Sequence, residues 1–140
     1  MTRDETQEFF DRRVDAWRRR DFDVLMRAHT DDCVLESPLA GRVIGRAAIE
    51  NFYRAFVTSF PDFTIEDPDL FVDGDRVVQT VTFAGTNTGG FMGMAPTGRR
   101  FSLAAVLICT MRDGQIAHEK RIYDFTGFLL EIGVLKAKPT

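Results

Sequence analysis

At 140 residues, 44% of them hydrophobic and 28% charged, the chain suits a single domain with its own core and leaves little room for a second. Eighteen Lys+Arg against 21 Asp+Glu give a net charge of −3, so composition offers no reason to expect nucleic acid or an anionic membrane as partner. The longest apolar stretch, Leu103 to Cys109, has seven residues against the ~20 of a bilayer-spanning helix; the opening Met-Thr-Arg-Asp-Glu is too charged for a secretory signal, and a cytoplasmic location is expected.

The first third reads as helix. Thr2-x-x-Glu5 has the form of a capping box, and Phe10, Val14 and Trp17 mark one face of a helix running to about Arg20. Arg12, Arg13, Arg18, Arg19 and Arg20 make this segment basic and read as a solvated face, since no Gly-rich loop or aromatic interleaving accompanies them. Asp21 can cap a second, short helix with Phe22, Leu25, Met26 and His29 on its apolar face. Cys33 to Ser37 alternates between Asp31-Asp32 and Pro38 and predicts a short strand. After a turn at Gly41–Gly45, Ile49, Phe52, Tyr53, Phe56, Val57 and Phe60 recur at helical spacing until Pro61 stops them.

The remainder is strand-like. Thr64 to Val72 and Arg76 to Thr88 flank the hairpin dipeptide Asp73-Gly74, and Arg99 to Met111 and Gln115 to Tyr123 flank Asp113-Gly114. The Gly-rich run from Gly89 to Gly98 is a loop, and Phe125 to Leu135 closes the chain as a helix. Helices followed by antiparallel strands are an α+β order. Segment 99–111 is apolar on both faces, so helices should cover one and a second copy the other, giving a homodimer through the sheet. The two cysteines, Cys33 and Cys109, read as buried reduced thiols. Thirteen Phe stand against two Tyr and one Trp, so the aromatic rings line something dry, a packed core or an apolar pocket.

Several segments together resemble the SnoaL-like polyketide cyclase (ester cyclase) family of the nuclear transport factor 2-like superfamily. They are Ser59-Phe60-Pro61-Asp62-Phe63, Gly85-Thr86-Asn87-Thr88-Gly89, Gly93-Met94-Ala95-Pro96-Thr97-Gly98, Arg112-Asp113-Gly114-Gln115-Ile116, and Tyr123-Asp124 before Leu130-Glu131-Ile132-Gly133-Val134-Leu135. The likeness runs from about Glu5 to Leu135. It implies a cone-shaped α+β fold, in which three N-terminal helices pack into a curved antiparallel sheet around an apolar cavity, usually as a dimer, with a short C-terminal helix.

The resemblance also implies a cofactor-independent enzyme, with no metal, acting on a small hydrophobic, polyketide-like carbonyl compound. The aspartate at the place of Asp124 is the acid/base of ring closure in these cyclases. From the residues alone, Asp124 is either a carboxyl partly desolvated among Ile122, Tyr123, Phe125 and Phe128, or the N-cap of the last helix. Asn87, standing where many relatives carry His, and Tyr53 could orient substrate. Trp17, Phe52, Phe56, Phe60, Leu107 and Ile122 are expected on the cavity wall, and Phe91, Met92 and Met94 on a lid. His29, Glu36 and Lys120 are further candidates, with His118 at a rim; Glu119 and Arg121 read as surface or dimer-face ion pairs. A ketosteroid isomerase reading meets Ser37 and Arg13 where its base and oxyanion tyrosine would fall, and an epoxide hydrolase reading finds only the Asp near 124. The alternative to an enzyme is a non-catalytic binding or dimerisation protein of the same fold.

Overall fold

The capping box closes as its spacing demands: the Thr2 hydroxyl accepts from the Glu5 amide, and the Glu5 carboxylate from the Thr2 amide, opening α1 (Arg3–Arg19). The computed structural model describes residues 1–136. Arg20 leaves α1 in the left-handed region, and its guanidinium donates to the carbonyls of Pro61 at 2.7 Å and Phe63 at 2.9 Å, tying the two helical regions together. The Asp21 carboxylate caps α2 (Phe22–Arg27) by accepting from the Val24 amide.

His29 does not extend α2. It starts β1 (His29–Ser37), which is four residues longer at its beginning than the alternating pattern from Cys33 predicts. The expected turn at 41–45 contains a short strand, β2 (Gly41–Ile44), paired with β1. Then follow α3 (Arg46–Ser59), β3 (Thr64–Asp73), β4 (Arg76–Thr86), β5 (Arg100–Arg112), β6 (Gln115–Tyr123) and α4 (Phe125–Glu131). Both Asp-Gly dipeptides turn hairpins, and α4 ends before the expected Leu135.

The strands form one six-stranded sheet in the order β2-β1-β6-β5-β4-β3. The β1–β6 pair is parallel, a correction to the all-antiparallel expectation. Each of the other pairs joins strands consecutive along the chain, through short turns for β1–β2, β3–β4 and β5–β6 and the longer 87–99 connection for β4–β5. In contrast, β1 and β6 are separated by most of the chain, and no turn dictates their sense. The helices lie on one face of this sheet. There Phe83, Ala105, Leu107 and Cys109 are buried against Phe10, Trp17, Tyr53, Phe60 and Phe128. The rings interlock, with centroids 4.6 Å apart for Trp17–Tyr53, 4.9 Å for Phe56–Phe63 and 4.8 Å for Phe101–Phe128. The other face carries Ser102, Ala104, Val106 and Ile108 of β5, partly or fully exposed.

Candidate functional site

Side chains on β6 alternate, and the register puts Glu119, Arg121 and Tyr123 on the helix-covered face while His118, Lys120 and Ile122 point outward. Glu119 and Arg121 are therefore not surface ion pairs: both lie in the core beside Arg13 of α1. Arg13 donates to Glu119 Oε1, and Arg121 Nε donates to Glu119 Oε2 at 2.5 Å. Both guanidiniums also donate to the Tyr53 hydroxyl at 3.3 Å. Arg13 joins an apolar stripe with Phe10 and Trp17, so α1 carries its charge inward. The Arg121 guanidinium carbon lies 5.1 Å from the Tyr53 ring centroid, 5.6 Å from Phe83 and 5.9 Å from Trp17.

Burial alone would raise the Glu119 carboxyl, but the charges of Arg121 and Arg13 more than offset it and hold Glu119 well below the usual carboxylate range. Burial, and then the Arg13 charge, pull His29 down to about 4, so its imidazole is neutral. One ring nitrogen, Nδ1, lies 3.0 Å from the Leu25 carbonyl and so carries the proton it donates there, which leaves Nε2 to face Arg13 at 3.5 Å as an acceptor. Burial and the Glu119 charge push Tyr53 up to about 12. Burial likewise raises the thiols of Cys33 and Cys109, which are both buried and free.

Arg121 also reaches an apolar pocket bounded by Ser37, Leu39, Phe52, Phe56, Phe83, Phe101, Leu103, Tyr123 and Phe128. Its volume is ≈ 20 Å³, room for about one water. Burial raises the Tyr123 phenol, against the Arg121 charge and hydrogen bonding toward Leu39 and Ser37. A wider hollow of ≈ 350 Å³ adjoins it, sharing Leu39, Phe52 and Phe56 and bordered by Phe91 and Met92. The 89–98 loop is seated here: the Gly89 amide donates to Ser59 at 3.0 Å, and a Cβ on Gly89 would lie 1.8 Å from the Thr58 carbonyl oxygen.

The expected site residues do not gather in one place. Phe52 and Phe56 line the pocket, and Phe91 and Met92 line its outer hollow. Trp17, Tyr53, Phe60 and Leu107 are packed core instead, because helix and sheet close over them. Met94 is exposed, and Asn87 is fully buried, its side-chain amide without a hydrogen-bond partner, on neither wall. Ile122 (47% exposed) and Lys120 face away from the pocket, and Glu36 meets His118 Nε2 at 3.0 Å on that outer side.

Asp124 is corrected as well. It is not desolvated among apolar rings but exposed, and its carboxylate accepts from the Gly127 amide at 2.9 Å as the N-cap of α4. Strand parity sets Asp124 with the outward-facing Ile122, and the strand ends at Tyr123, so nothing turns the carboxyl inward.

Arg121, Tyr123, Ser37 and Arg13 are the chemistry the sequence reading did not place. The signal was present in Arg13 at helical spacing between Phe10 and Trp17, and in the shared parity of Glu119, Arg121 and Tyr123. Among the described residues no group of three or more His, Cys, Asp or Glu is placed to hold a metal ion, and no helix is long and apolar enough to cross a membrane.

The family model described as SnoaL-like polyketide cyclase matches residues 7–132. Similar solved structures include AclR, a candidate hydroxylase from Streptomyces galilaeus, at 26% identity, covering 99% of this chain and 91% of that one with a TM-score of 0.83. IdmH, a candidate polyketide cyclase from Streptomyces antibioticus, is 26% identical over 91% of this chain and 97% of its own, with a TM-score of 0.77. A candidate polyketide cyclase from Xanthomonas campestris shares the fold at 21% identity, covering 93% and 98%, with a TM-score of 0.85. The cone-shaped, ketosteroid isomerase-like fold is common to these neighbours and this chain. No curated protein matches it.

Proposed function

The chain belongs to the SnoaL-like polyketide cyclase family, and from that premise we propose that it binds a small hydrophobic, polyketide-like carbonyl compound in the Arg121 pocket and promotes a cyclase- or isomerase-type reaction there. One observation supports this above the others: a wall of Phe and Leu side chains interrupted by only three polar ones, Arg121, Tyr123 and Ser37. Rotation of Phe52 and Phe56, both half-buried and common to the two hollows, merges them into a space of substrate size. The 89–98 loop, through Phe91 and Met92, borders the mouth and adapts to the occupant.

A substrate carbonyl set against Arg121 and Tyr123 accepts hydrogen bonds that strengthen as its oxygen gains negative charge. Tyr123, raised by burial, remains a neutral donor at ordinary pH. The acid/base role implied for Asp124 is not carried into this reading, because its carboxylate caps a helix in solvent.

A panel of poly-β-ketone substrates tests the proposal. Arg121→Met and Tyr123→Phe should each lower kcat by about 10²-fold, the cost of removing one oxyanion donor. Full turnover in Tyr123→Phe would refute its role. A second reading, binding without turnover, is favoured by the absence of any carboxylate or neutral imidazole from the pocket wall among the described residues; tight binding with no turnover across the panel would select it. We also propose that the uncovered sheet face, with Val106, Ile108 and Ile122, pairs with a second copy of the chain.

A further inference from the structure

The buried charges do not balance. Arg13, His29, Glu119 and Arg121 are the buried ionisable side chains apart from tyrosine and cysteine among the described residues. The elements packed around them supply the titratable groups of this cluster: α1 brings Arg13, α3 Tyr53, β1 His29 and Cys33, β5 Cys109, and β6 Glu119, Arg121 and Tyr123. Two guanidiniums and one carboxylate sum to one positive charge, and the histidine, tyrosines and thiols are neutral at pH 7. An unmatched charge in a dry interior is costly, and Arg121, one of the two cations that share the Glu119 carboxylate, lines a pocket.

The geometry of the guanidinium points the same way. Arg121 spends Nε on Glu119 and Nη2 on the Tyr53 hydroxyl, leaving Nη1 without a hydrogen bond to protein among the described residues. The rings of Tyr53, Trp17 and Phe83 surround the cation without supplying an acceptor oxygen for that donor. The pocket wall beyond it offers only the hydroxyls of Ser37 and Tyr123.

We propose that the pocket selects an aromatic or polyketide-like ligand carrying an acidic oxygen, as enolate, phenolate or carboxylate, and binds it as the anion against Arg121. The inference rests on the reading of the pocket as the ligand site and adds the charge state of the ligand. The bound anion neutralises the buried excess, and its charge-assisted hydrogen bond is stronger than one to a neutral carbonyl. The phenyl-lined remainder of the pocket sandwiches the rings.

Calorimetric titration of the full chain with 2-naphthoate and its neutral counterpart 2-naphthamide tests this. Naphthoate should bind at least about tenfold more tightly at pH 7, a difference that one charge-assisted contact supports. Arg121→Met, which leaves Arg13 and Glu119 as a balanced pair, should abolish that preference, weakening naphthoate by at least about tenfold more than naphthamide. Arg121→Lys retains the charge and should retain the preference, which covers the case of a poorly folding Met variant. Equal binding of both probes to the wild type would overturn the inference and leave the pocket reading standing. Binding of neither would overturn both.

Discussion

Arg13 on α1 and Glu119 on β6, 106 residues apart along the chain, meet as a hydrogen-bonded ion pair closed off from solvent. Arg121 shares the same carboxylate from two residues away on its own strand. The pairing fixes the first helix to the sheet, and the charge arithmetic makes its members unequal. Glu119→Gln leaves two buried guanidiniums without a counter-charge and should cost about 3–5 kcal/mol. Arg13→Met leaves a neutral Arg121–Glu119 pair and should cost clearly less. Urea unfolding of the two variants measures this, and equal losses would refute it.

His29 gives the protein a pH-dependent stability of known sign. Its pKa falls from 6.5 to about 4 on folding, so below 6.5 the unfolded chain takes up a proton that the native chain refuses. Stability therefore drops as pH falls from about 6.5 to about 4, by up to ~1.4 kcal/mol per pH unit. Glu119, depressed in the folded state, loses its contribution at lower pH still. His29→Gln should flatten the upper window by one proton in denaturation series at stepped pH. An unchanged slope would show that His29 charges in the native state.

Asp124 should behave as a cap. Asp124→Ala is expected to cost about 1 kcal/mol through loss of the bond to the Gly127 amide, and Asp124→Asn less, with turnover unchanged in both. Melting curves and turnover measured together decide it. Loss of turnover at constant melting temperature would return the acid/base role to this carboxylate.

Val106 lies near the middle of the uncovered sheet face, opposite Thr80 on one side and Ile122 on the other. Val106→Lys should shift a dimer to monomer in sedimentation without lowering the monomer's stability, since the side chain points outward. A wild-type chain that already sediments as a monomer at micromolar concentration would end the dimer proposal.

The sequence alone determined the local structure and, through its ordered motifs, the fold. Thr2 and Glu5, Asp21, Pro61 and the two Asp-Gly turns act within a few residues, where backbone chemistry leaves little choice, and each stands where its pattern placed it. The parallel β1–β6 pairing, the face that β6 turns inward and the outward position of Asp124 depended on how distant elements close on one another. Alternation along β6 divides its residues into two sets but cannot say which set is inside. Only the arrival of Arg13 from the far end of the chain makes burial of Glu119 and Arg121 affordable, because a charge enters a dry core only where an opposite charge already waits.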